Sequence, residues 1–97
     1  MIRHTVLLTF VEGTDADVVD GIVASLSQLP ERIPSIRSYV VATDLGLADG
    51  NATLAVHGEF DDVEGYVVYR DHPEHRAVID TQIVPVLASR SAAQIEI

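Results

Sequence analysis

The sequence predicts an α+β fold of βαββαβ order, a four-stranded antiparallel sheet with its helices on one face. Three observations carry this expectation. The chain opens on a run of β-formers, IRHTVLLTF, followed by an apolar stripe at helical spacing. Strand-like and helix-like segments then recur in an order that one antiparallel sheet satisfies most simply. At 97 residues there is room for a single domain, 1–97, around a single core.

Residues 2–10 read as a central strand, with His4, Val6, Leu8 and Phe10 on one face and Thr5, Leu7 and Thr9 on the other. Thr14 is the expected N-cap of the first helix, with acidic residues in its first turn. Val18, Val19, Ile22, Val23, Leu26 and Leu29 form its sheet-facing stripe, and Pro30 and Pro34 are expected to end it. IRSYVVAT (36–43) is a second strand. The turn-rich DLGLADGN leads to a third, ATLAVHGEF (52–60), with Gly58 suggesting a bulge or a close backbone approach. Asp61 with Glu64 suggests the start of a short helix reaching about Tyr69. Pro73 suits the first turn of another, which Pro85 kinks or ends, and 88–97 close the chain as a strand.

Composition removes several function classes. Net charge is −9, with no lysine and six scattered arginines, which argues against nucleic acid and anionic membranes as partners. Without lysine there is no Schiff-base chemistry, and without cysteine no disulfide, thiolate nucleophile or Cys-ligated metal. No apolar run approaches a membrane span and no signal-peptide pattern opens the chain, so a cytoplasmic protein is expected. The second sheet face, with Thr5, Leu7, Thr9, Ala55 and His57, is too apolar to stand bare. A homodimer covering it is the expected partner, with His57 and Glu59 as a polar pair in the interface.

The segment YRDHPEHRAVI (69–79) concentrates the chemistry. A helix starting near Pro73 sets His75, Val78, Ile79, Gln82 and Val86 on one stripe facing the sheet. Tyr69 ends the preceding helix, so Tyr69 and His75 converge from two sides of one corner, with His4 looking into the same space. His72, just before a proline, reads as a capping or turn residue. H-x-x-H is not taken as a metal site, because Pro73 divides the pair and zinc-binding helices space their histidines i, i+4. A buried, hydrogen-bonded structural role for His75 and Tyr69 stays open beside a catalytic one.

MIRHTVLLTF, LPERIPSIRSYVVATDLGL, GEFDDVEGYVVYRDHPEHRAV and IVPVLASR, in that order, resemble the stress-responsive α/β-barrel (Dabb) family over essentially the whole chain. The resemblance implies a ferredoxin-like subunit that dimerises into an α/β-barrel. It implies, by analogy with a plant polyketide cyclase of the family, cofactor-independent aldol-type chemistry on a small apolar carbonyl compound, with Tyr69 and His75 as the catalytic pair. The implied pocket between sheet and helices is lined by His4, Val6, Leu8, Leu54 and Val56 from the strands and Val23 and Ile79 from the helices. A non-catalytic dimer or small-ligand binder is the alternative.

Overall fold

Alternation decides the first element. In β1 (Ile2–Phe10) every second residue from His4 onward is buried and its neighbours are not. The computed structural model describes residues 1–97. The elements that follow are α1 (Ala16–Ser27), α2 (Leu29–Arg32), β2 (Ile36–Thr43), β3 (Leu54–Phe60), α3 (Val63–Asp71), α4 (Pro73–Val78) and β4 (Leu87–Glu96). The sheet order is β2-β3-β1-β4, with every neighbouring pair antiparallel. This is the predicted ferredoxin-like arrangement, with the helices stacked on one face.

The core lies between that face and the helices. Val6, Leu8, Val56 and Phe60 from the central strands meet Ile22, Leu26, Leu29 and Ile33 from the first helical segment. Ile22, Ile33 and Phe60 are fully buried. Burying each such side chain contributes roughly 1.5–3 kcal/mol.

Several helix boundaries differ from the sequence expectation, each for a local reason. Asp15, not Thr14, caps α1 by accepting from the Asp17 N–H at 2.8 Å. The Thr14 hydroxyl is already spent on the Val11 carbonyl at 2.6 Å. Pro30 does not simply end the first helix. It cannot donate to the Leu26 carbonyl, so α1 stops and Pro30 opens the short α2, where no N–H is required. Asp62 rather than Asp61 caps α3, through the Gly65 N–H at 2.8 Å, because Arg37 holds the Asp61 carboxylate at 2.8 Å. Past Val78 the last helix widens to a π turn over Ile79–Ile83 and tightens to a 3₁₀ turn over Val84–Val86 around Pro85. The widened turn puts Ile83 in the core, while Gln82 hydrogen-bonds Ser25 of α1.

The other sheet face is uncovered in the single chain. Val40, His57, Thr5 and Ala93 lie in one cross-strand row, and Ala42, Ala55, Leu7 and Ser91 in the next. Leu7 is 43% exposed and Val40 57%. His57 meets the Thr5 hydroxyl at 3.3 Å, not Glu59. Glu59 binds Arg3 and Ser38 instead, which corrects the expected pair. No helix is long and apolar enough to cross a membrane.

Gly58 is neither a bulge nor a backbone approach: the β2–β3 register shifts between Ile36 and Ser38 instead, and what crowds Gly58 is side chains. A Cβ there would sit 3.2 Å from Tyr39 Cδ1 and 3.3 Å from Phe60 Cε2. Replacing a strand glycine gains roughly 0.5–1 kcal/mol of backbone entropy, against about 1–3 kcal/mol for overpacking. Crowding wins because Phe60 is fully buried and cannot move aside. Gly58→Val is therefore expected to lower the urea midpoint, by about 1–2 kcal/mol in stability; a midpoint at or above wild type would contradict the packing account.

Candidate active site

The break between α3 and α4 builds the site. His72 must be extended ahead of Pro73, so α3 ends at Asp71, and the His72 Nδ1 accepts from the Glu74 N–H at 3.1 Å to start α4. The Arg70 carbonyl, at a helix end where intrahelical donors run out, lies 3.0 Å from His75 Nδ1. A carbonyl can only accept, so Nδ1 carries the proton and Nε2 is the basic nitrogen of a neutral ring. His75 is 9% exposed and stacks on Tyr69, with ring centroids 4.1 Å apart and planes at 29°.

Tyr69 is 2% exposed, and its hydroxyl lies 2.8 Å from that of Tyr39 on β2. Its ring also packs against Phe60 at 5.1 Å and His4 at 5.8 Å. The Tyr39 ring has its place because Gly58 opposite it has no side chain. His4 is 3% exposed, with its Nδ1 2.9 Å from the Gln94 amide on β4. A donating amide makes Nδ1 the acceptor and leaves Nε2–H as the donor.

Burial dominates the electrostatics. It pushes the His4 pKa down to about 4, helped by the Arg90 guanidinium and then by His75. His75 is also lowered by burial, partly opposed by its bond to the Arg70 carbonyl, so its imidazole is held neutral. Burial pushes the Tyr69 hydroxyl up to about 12, with the bond from Tyr39 working the other way. Tyr39 is raised further by burial and by Tyr69. Both phenols therefore stay protonated as donors at neutral pH.

These groups face a cavity of about 280 Å³ between sheet and helices, at the small end of ligand sites. Of the residues expected from the sequence, the structure brings His4, Val6, Leu8, Val56, Tyr69, His75 and Ile79 together on its wall. Val23 and Leu54 are elsewhere. Leu54 is 1% exposed within the core, and Val23 packs at the core's margin, while Leu26, one turn further along α1, reaches the cavity. Tyr39, Tyr66 and Arg90 also line it and were not anticipated. Tyr66 had a sequence signal, standing one helical turn before Tyr69. For Tyr39 the signal was the strand glycine opposite, whose partner a sequence does not name. No three His, Asp or Glu side chains cluster as a metal site.

The family model described as a stress responsive A/B barrel domain matches residues 2–97. The chain belongs to that family. A dimeric ferredoxin-like protein of unknown function from Thermobifida fusca is 40% identical, with TM-score 0.91, covering 99% of this chain and 90% of its own. A second dimeric protein of unknown function, from Bacteroides fragilis, is 23% identical at TM-score 0.88, covering 99% and 95%. The hydroxynitrile lyase of Passiflora edulis shares the fold at 19% identity and TM-score 0.85, covering 99% and 92%. No protein with a curated description matches.

The depressed His4 pKa links stability to pH. Between an ordinary value of 6.5 and the folded value of about 4, the unfolded chain binds the proton that the Dabb core refuses. This contribution is complete above pH 6.5 and is lost as pH falls toward 4. Its loss between pH 7 and pH 5 is about 2 kcal/mol. Urea unfolding at the two pH values should show His4→Gln losing less stability than wild type by about that amount; equal losses would contradict the assignment.

Proposed function

We propose that the cavity is a cofactor-independent active site of the cyclase or lyase kind, acting on a small carbonyl compound. The observation that carries this reading is the tethered His75, a buried neutral imidazole with Nδ1–H fixed on the Arg70 carbonyl and Nε2 left as a base on an apolar wall. That is how a general base is prepared: one nitrogen oriented, the other unprotonated, and water scarce.

In the proposed step, Nε2 of His75 takes a proton from the carbon beside the substrate carbonyl. The electron pair moves to the carbonyl oxygen, and Tyr69 donates a hydrogen bond to the enolate. Tyr39 donates to Tyr69 in turn, and so positions that donor. The enolate carbon attacks a second carbonyl, forming the carbon–carbon bond, and protonated His75 returns its proton to the new alkoxide. Run backwards, the same arrangement cleaves such a bond. A general base contributes a factor of about 10²–10⁴, and a preorganised oxyanion donor about 10²–10³. The hydroxynitrile lyase neighbour supports lyase chemistry as compatible with this frame, by fold alone.

A second reading, a binder without catalysis, is favoured if the Tyr69–Tyr39 bond runs the other way, with Tyr69 donating to Tyr39 and its proton already used. Proton exchange separates the two without knowledge of the natural substrate. Enzyme in D₂O with 2-octanone or acetophenone should speed exchange of the α-protons in ¹H NMR spectra. His75→Ala should lose about 10² or more of that rate, with little change in melting temperature. Exchange at the buffer rate, or an unchanged His75→Ala rate, would leave the binder reading.

The proposal includes a homodimer that covers the bare sheet face, as relatives described as dimeric support. Leu45 and Leu47, 84% and 85% exposed between β2 and β3, add apolar surface for a second copy. Leu7→Arg puts a charge in the middle of that face. Sedimentation velocity should report a dimer for wild type and a monomer for the variant, and a wild-type monomer at micromolar concentration would sink the dimer.

A further inference from the structure

The cavity wall carries the opposite charge to the protein. The chain has fifteen carboxylates and a net charge of −9, yet no Asp or Glu lines the cavity, whereas three of the six arginines do. Those three, Arg70, Arg76 and Arg90, are not equivalent. Arg70 is paired with Asp71 at 2.9 Å and Arg76 with Asp80 at 3.8 Å. Away from the cavity, Arg3, Arg32 and Arg37 pair with Glu59, Glu74 and Asp61. Arg90 alone has no carboxylate partner.

Its position is set by the strand register. On β4, Arg90 lies opposite Leu8, so it shares the helix-facing side with a residue of the cavity wall. It is close enough to the reactive groups to be felt by His4, Tyr69 and His75. Within the chain its guanidinium is free, beside the apolar cavity, while every other arginine is paired. A guanidinium accepts a carboxylate through two parallel N–H···O bonds.

Resting on the reading of this cavity as the substrate site, we propose that Arg90 receives a carboxylate of the substrate. The substrate class is then an apolar carbonyl compound that also bears an acid, a short-chain or aromatic oxo acid. The apolar body lies against Leu26 and Ile83, the carbonyl belongs to Tyr69 and His75, and the acid stays at Arg90. A cavity of about 280 Å³ suits a small ligand rather than a drug-sized one.

Octanoate and octanamide, isosteres of that size that differ in charge, are the probes. All three tyrosines of the chain line the cavity and there is no tryptophan, so tyrosine fluorescence reports binding directly. At pH 7 and low ionic strength, octanoate is expected to bind at least about tenfold more tightly than octanamide, and the preference should shrink as salt screens Arg90. Arg90→Gln, a change at an exposed residue without a partner, should equalise the two. Equal affinities in wild type, or a preference that survives in Arg90→Gln, would overturn the inference while leaving the cavity as a ligand site. If neither probe binds, the site reading falls and takes the inference with it.

Discussion

The hydrogen bond from His75 Nδ1 to the Arg70 carbonyl is the contact on which the rest of the site depends. It exists because Pro73 forbids a continuous helix, which leaves a carbonyl at the end of α3 with no helical donor and starts α4 so that His75 lies two residues inside it. The bond fixes the tautomer, and the stack on Tyr69 fixes the plane of the ring. Without the break, Tyr69 and His75 would share one helix six residues apart, about 120° round from each other and so on different faces. The proline is thus a positioning device as much as a helix start.

Burial and charge then give these groups opposite tendencies that serve one task. The apolar wall penalises charge, so His75 and His4 are held neutral and the two phenols remain protonated. The arginines at the same wall press in the same direction on the histidines. Of the three, Arg90 is the one with no carboxylate partner within the chain. The proposed base, donor and anion holder all rest on this one arrangement, with no carboxylate on the cavity wall.

Much of this was legible in the sequence where a periodicity spans several residues. The alternation of β1 placed His4, Val6 and Leu8 on the helix face, and Pro73 separated the two helices that carry Tyr69 and His75. What was not legible depends on which of two equivalent groups is already occupied. Asp61 and Asp62 are equally good caps until Arg37, 24 residues away in sequence, engages the first. Leu26 rather than Val23 meets the cavity because of how α1 rolls on the sheet, a matter of packing rather than of spacing. Tyr39 required knowing the β2–β3 register, and Arg90 the register of β4 on β1. Cross-strand registers of that kind are long-range facts, and they placed Tyr39 and Arg90 at the site.

The most direct test of the central claim is the protonation state of His75, read from ¹⁵N chemical shifts of its ring in two-bond correlation spectra. The account predicts a neutral ring with the proton on Nδ1, still mostly neutral at pH 6.5, the ordinary midpoint for histidine. An imidazolium at that pH, or a neutral ring with the proton on Nε2, would contradict it. Either result would deny the site its base.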